Sequence, residues 1–470
     1  MKKYVFLLIL LLGLFLRLHD LDKESLWLDE VYSLRSAQAE TFPQLVSGIE
    51  EMEGSPFGHH LLLRYWIKLF GNSAFSVRFP SVIFGVLAIL VMYKISLILT
   101  NRKIALLSSL LLSTSMLQVL FSQEARLYSL YGFLTLLATY FFINIIKKDK
   151  YYLPYAIFLL LAFYVNYLTG ALLIIYTLIA RKKEKLLFTN LIIFLLTIPL
   201  MPLLLDQFVT GNTGLTTSLI SKGLPSFLAS FGIFFYALPV VFIVITTIFI
   251  ISIKDKITSL ISKQFDFALV TFILIFAASY LYLVTHTFTF LGIPLTRNPI
   301  THSYFLIRHS FFFVPVFYFI LSYKIINLKS KKLKMFCILI VLFVNLFSLA
   351  VYYETPNKPQ WQEAASYIQD DSLILLDSAG YSNVFLFNYY HNNSSDIIRL
   401  TWSDKRRSFS QIADDELLLQ LHGKKEFWLI LSRNKRTNDH YKNLLDQYYN
   451  LDLEKEFYQI SVFHYNNNFI

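Results

Sequence analysis

YVFLLILLLGLFLRLHDLDKESLWLDEVYS, residues 4–33, decides the fold class. Residues 4–19 form an apolar run close to the length of a membrane crossing, preceded by Lys2 and Lys3. No small-residue cleavage site follows it, so it reads as a retained signal anchor with its N-terminus inside. The chain then places an acidic pair, Asp29 and Glu30, just beyond the outer end of that run. Leu26, Trp27, Leu28, Val31 and Tyr32 surround the pair, which suits an interfacial loop. A carboxylate held at a bilayer surface suits abstraction of a proton from an acceptor hydroxyl while a lipid-borne group is transferred to it. Taken alone, the dipeptide is better explained as a short solvated acidic loop.

The rest of the chain repeats the opening pattern. Of 470 residues, 56% are hydrophobic and 16% charged, and the mean hydropathy is +0.53. Apolar segments recur at 4–19, 77–98, 104–121, 127–146, 151–165, 168–180, 187–205, 226–251, 266–285, 305–323 and 335–352, which predicts about eleven spans. With the N-terminus inside, Lys94/Arg102/Lys103, Lys147/Lys148/Lys150, Arg181–Lys185, Lys254/Lys256/Lys263 and Lys324–Lys334 fall in inner loops. The net charge of +11 is therefore an orientation signal rather than a nucleic-acid signal. The single cysteine, Cys337, lies within a predicted span, so no disulfide braces the outer parts.

Two soluble stretches stand out. Residues 20–75 form a long outer loop in which 59–70 (HHLLLRYWIKLF) reads as a helix lying at the surface. After about Tyr353 the long apolar runs stop. Short apolar runs then alternate with helical stretches, which predicts a small α/β domain with a largely parallel sheet. The expected division is a transmembrane unit, 1–352, whose loop 20–75 is catalytic, and an extracytoplasmic α/β domain, 353–470. This gives a multi-pass cell-membrane protein with a cytoplasmic N-terminus.

Outer-facing charges narrow the chemistry, because ionisable groups at membrane depth are costly unless used. They are Asp29, Glu30, Glu53, His59, Arg64, Arg78, Glu124, Arg126, Arg297 and Arg308. Carboxylates together with guanidinium groups suit transfer from a phosphate carrier, the arginines stabilising the departing phosphate. Gln123 and Arg126, three apart, would share a helix face. The adjacent pair His59–His60 points about 100° apart on a helix and lacks metal-ligand spacing, so a structural role is favoured over a metal site. His286 and His302 are isolated.

Several stretches together resemble the GT-C class of membrane glycosyltransferases. The closest branch is that of protein O-mannosyltransferases and lipid A aminoarabinose transferases. The stretches are Asp29–Glu30, Ser55-Pro-Phe-Gly-His-His-Leu-Leu-Leu-Arg-Tyr-Trp66, Val77-Arg-Phe-Pro80, Gln123-Glu-Ala-Arg-Leu-Tyr-Ser-Leu130, Tyr304–Pro315 and Pro359–Ile368. The resemblance implies a polyprenyl-phosphate-linked sugar donor, inversion at the anomeric carbon and no nucleotide. It implies Asp29 as base, with Glu30, Arg126 and Arg308 helping to place the donor phosphate. Gln123 and Glu124 are grouped with them as candidate phosphate-binding residues. Glu53 and His59 are candidate contacts to substrate or to a divalent metal ion. The acceptor is a protein, a glycolipid or a cell-wall polymer. The competing reading is a transporter or flippase of lipid-linked or polar solutes. It would call for repeat symmetry and polar, broken helices at the midplane, whereas the ionisable residues here gather at one face.

Overall fold

The computed structural model describes residues 4–179, 183–209, 314–368, 372–377, 381–391, 396–403, 409–432 and 435–466. The predicted spans 226–251 and 266–285, most of the span at 305–323, and His286, Arg297, His302 and Arg308 lie outside the described residues. The chain divides into two compact units: 1–21 with 39–355, and 22–38 with 356–470.

The first unit is helical. Its helices are α1 (Tyr4–Leu18), then, after α2 (Leu28–Ala37) of the other unit, α3 (Phe42–Met52), α4 (Gly58–Phe70), α5 (Ala74–Leu99), α6 (Arg102–Ser113), α7 (Met116–Leu120), α8 (Tyr128–Lys148), α9 (Tyr152–Val165), α10 (Thr169–Ile179), α11 (Glu184–Thr197), α12 (Met201–Val209), α13 (Val314–Ile326) and α14 (Lys331–Glu354). Among the described residues four helical segments are long and apolar enough to cross a membrane: α5, α8, Glu184–Gln207 and α14. Shorter apolar helices accompany them, including α1, α9, α10 and α13. Leu153, Ile174, Leu178, Phe188 and Phe343 expose large apolar surface, as lipid-facing side chains do.

The predicted pair at 151–180 is two helices, broken at Asn166, whose side chain accepts the Leu168 N–H at 2.9 Å. The predicted span 104–121 is not one helix. It breaks at Thr114–Ser115 between α6 and α7. A break at membrane depth exposes carbonyls that must find partners inside the protein. Arg17 donates to Ser113 O at 3.2 Å, and Asn345 of α14 donates to Leu111 O at 3.2 Å and to Thr114 Oγ1 at 3.1 Å. Tyr318 of α13 in turn holds Asn345 at 2.8 Å.

The second unit is an α/β fold: α15 (Trp361–Tyr367), β1 (Leu373–Leu376), α16 (Tyr381–Tyr390), β2 (Ile397–Arg399), β3 (Thr401–Ser403), β4 (Phe409–Gln411), α17 (Asp414–Leu421), β5 (Glu426–Ser432), α18 (Lys435–Leu445), β6 (Asn450–Phe457) and β7 (Ile460–Asn466). The five-stranded sheet runs β2-β1-β5-β7-β6. β1 is parallel to β2 and β5, but β7 is antiparallel to both β5 and β6. The sheet is thus half parallel rather than largely parallel. The reason is the tight turn at Tyr458–Gln459, where Gln459 has φ +65, which returns β7 along β6 without a helical crossover. Leu375, Phe427, Leu429, Phe463 and Tyr465 pack with Leu417, Leu421, Tyr441 and Leu445 on one face. Alternate residues Ile374, Leu376, Trp428, Ile430 and Val462 are buried on the other.

Candidate functional site

Two groups of the sequence-derived candidates are built in the structure, one in each unit. In the helical unit, α3 ends at Met52 and Glu53 follows in extended conformation, turning its carboxylate inward; only 5% of the residue is exposed. Arg126 donates from Nη1 to Glu53 Oε1 at 2.6 Å. His60 Nε2 lies 3.1 Å from the same oxygen, and Ser55 donates to Oε2 at 3.4 Å. Burial alone would raise the Glu53 carboxyl. The Arg126 guanidinium and the His60 ring outweigh it and hold the group well below the usual carboxylate range. His59, on the next face of α4, donates from Nε2 to Ala125 O at 3.3 Å. Burial, then the charges of His60 and Arg126, push His59 down to about 3, so its imidazole is neutral.

Close approach of backbones makes this packing feasible. A Cβ at Gly58 would stand 2.4 Å from Tyr164 O, so only glycine lets the start of α4 meet the end of α9. Gln207 of α12 is fully buried and donates to Ser55 O at 3.0 Å. It ties the C-terminal end of the segment Glu184–Gln207 to the loop that follows Glu53.

The stretch Gln123–Arg126 is not helical, so Gln123 and Arg126 do not share a helix face. Tertiary hydrogen bonds override the local propensity. Gln123 Nε2 donates to Arg17 O at 3.2 Å and to His19 O at 2.6 Å, satisfying carbonyls at the end of α1. Ser122 Oγ accepts from Arg17 Nε at 3.1 Å, and Ser81 donates to Arg126 O at 3.4 Å. Glu124 is buried in the same stretch. Irregular backbone beside membrane helices is tolerated where its polar groups are satisfied inside the protein, as these bonds satisfy those of residues 121–127.

In the second unit, Asp29 and Glu30 occupy the first turn of α2. Glu30 is fully buried. Its Oε2 accepts the Trp27 N–H at 3.3 Å, closing the helix start, and Lys358 Nζ at 3.0 Å. Asp29 is half-buried. A negative group in the first turn of a helix is favoured by the backbone dipole.

The Glu53 carboxylate carries a guanidinium at 2.6 Å, while His59, donating its Nε2 hydrogen to a carbonyl, keeps a lone pair on Nδ1. Among the described residues no group of three or more His, Cys, Asp or Glu could hold a metal. Sequence reasoning missed Lys358, Gln207 and the structural weight of Arg17. A charge inside the apolar run of α1 was the available signal for Arg17; nothing local marks Lys358 or Gln207.

Residues 54–205, which contain His59, His60 and Arg126, match the family described as dolichyl-phosphate-mannose-protein mannosyltransferase. No curated protein matches the chain by sequence. Among solved structures, ArnT from Cupriavidus metallidurans bound to undecaprenyl phosphate aligns with TM-score 0.51 at 13% identity, covering 97% of this chain and 97% of that one. The apo state of the same protein aligns with TM-score 0.50 at 13% identity over 98% of each chain. The Archaeoglobus fulgidus oligosaccharyltransferase aligns with TM-score 0.47 at 12% identity, over 98% of this chain and 73% of that one. The chain is a polytopic membrane protein with the GT-C glycosyltransferase fold, and its residues 54–205 carry the mannosyltransferase family pattern.

Proposed function

We propose that this protein transfers a hexosyl or pentosyl group from a polyprenyl-phosphate donor to an acceptor hydroxyl at the outer face of the membrane, with inversion. Asp29 is the base. It takes the proton of the acceptor hydroxyl as that oxygen bonds to the anomeric carbon. The bond from that carbon to the phosphate oxygen breaks, and polyprenyl phosphate leaves with the electron pair. Arg126 and Arg308 attend the donor phosphate, arginine providing the planar paired donors a phosphate needs, while Gln123 spends its amide hydrogens on the end of α1.

The observation that carries this reading is the buried, non-helical stretch 121–127 inside the family-matched region, with Arg126 held by Glu53 at 2.6 Å. A guanidinium kept charged and fixed in rotation is a preorganised partner for developing negative charge. The donor's prenyl chain stays in the bilayer, which agrees with a site at the outer ends of the helices and with a cytoplasmic N-terminus and extracytoplasmic C-terminal unit. The acceptor class is a protein, glycolipid or cell-wall polymer.

The test compares the purified protein with Asp29→Asn on labelled polyprenyl-phosphate sugars and a crude acceptor extract, following release of free polyprenyl phosphate. Loss of a positioned base lowers turnover by about 10²–10⁴-fold, with donor binding retained. Equal release by both proteins removes Asp29 from the chemistry. Uptake of donor without release would favour a flippase.

A further inference from the structure

We propose that Lys358 is a positioning residue for Asp29 and that the C-terminal α/β unit holds the acid-bearing helix α2. This rests on the reading of Asp29 as the base. Residues 22–38 group with 356–470, far along the chain, rather than with the helices on either side in sequence. The attachments are specific. Ser25 donates to Glu363 Oε2 at 3.3 Å and accepts the Gln362 N–H at 2.9 Å. Leu26 N–H donates to Tyr390 OH at 2.7 Å, and the Asn357 N–H donates to Glu24. Helix α2 packs on α16. At the centre, Lys358 Nζ meets Glu30 Oε2 at 3.0 Å, the two side chains 6% and 0% exposed.

A buried ion pair adds little net stability over an apolar pair of similar shape, because both ions lose their water. What it does specify is geometry. Glu30 accepts the Trp27 N–H at the helix start and Lys358, 328 residues along the chain, with the same oxygen, so the first turn of α2 is fixed in rotation as well as in position. Adjacent helical residues point about 100° apart. Glu30 is the anchor, and its fixing therefore sets the direction of its neighbour Asp29, which is half-buried and keeps its Oδ2 out of solvent. The segment Pro359–Ile368, conspicuous in the sequence, begins immediately after Lys358 and supplies Gln362 and Glu363 to the same attachment.

The experiment uses the full chain with Lys358→Met, Lys358→Arg and the milder Tyr390→Phe. Hydrogen exchange is read on peptides covering 24–34 and, as an internal reference, strand β5. Lys358→Met and Tyr390→Phe are expected to speed exchange in 24–34 and leave β5 unchanged, and Lys358→Arg to keep wild-type protection. Turnover of a labelled polyprenyl-phosphate sugar is expected to lose about 10²-fold in kcat in Lys358→Met, the scale of a misplaced catalytic group, with the donor KM unchanged and with recovery in Lys358→Arg. Unchanged protection of 24–34 in both Lys358→Met and Tyr390→Phe overturns the holding role. Lost protection with full kcat overturns the positioning role. If Asp29→Asn itself turns over at the wild-type rate, the base assignment fails, while the exchange data still decide whether the second unit holds α2.

Discussion

The pair Glu53–Arg126 predicts an asymmetric double-mutant cycle. Both groups are more than nine-tenths buried, and they meet at 2.6 Å. Glu53→Gln keeps the shape and the hydrogen bonds to Ser55 and His60 but strands a guanidinium that cannot shed its proton. Breaking a buried pair this way costs about 3–5 kcal/mol. Arg126→Met strands the carboxylate instead. Glu53 can respond by binding a proton once the guanidinium no longer depresses it, so that variant costs less, about 2–3 kcal/mol, most of it lost packing and desolvation. The double variant leaves no charge uncompensated. Its destabilisation is expected to fall short of the sum of the singles by at least about 2 kcal/mol. The assay is unfolding by SDS titration from mixed micelles, followed by tryptophan fluorescence, for the four proteins at pH 7. Additivity to within about 0.5 kcal/mol, or Arg126→Met being the worse single, would refute the reasoning.

Two further outcomes follow from the same geometry. His59 sits at about 3 against an ordinary 6.5, so between those values the unfolded chain binds a proton the folded one refuses. Stability is expected to fall as pH drops through that window, by about 1.4 kcal/mol per pH unit at full slope. Glu53 adds to the loss below its ordinary 4.5, and His59→Gln is expected to flatten the upper part when unfolding is compared at pH 7, 6 and 5. At Gly85 an added Cβ would stand 2.2 Å from Ser122 Oγ and 2.8 Å from Arg17 Nε, so Gly85→Ala is expected to cost about 1–3 kcal/mol and to lower the thermal midpoint in detergent, whereas a midpoint matching wild type would show that the Arg17–Ser122 contact readily yields.

The membrane character, the α/β tail and the two short helices at 151–180 were all legible in the sequence. Each is set by apolar free energy that adds residue by residue along a local run, so a window of the chain carries the answer. Asp29, Glu53, His59 and Arg126 were legible as residues for a related reason: a charge near an apolar run is conspicuous wherever it falls. Their partners were not. Arg126 finds Glu53 across 73 residues and Lys358 finds Glu30 across 328, and no local pattern encodes pairs at such separations. The same non-local bonds broke the expected helix at 104–121 and kept Gln123–Arg126 out of helical form, because carbonyls at the end of α1 and in the break had to be satisfied inside the protein. The reversal of β7 likewise depended on a turn whose outcome is decided by sheet pairing. Local hydrophobicity thus determined what kind of protein this is, and tertiary hydrogen bonding of buried polar groups decided which charged residues are paired with which.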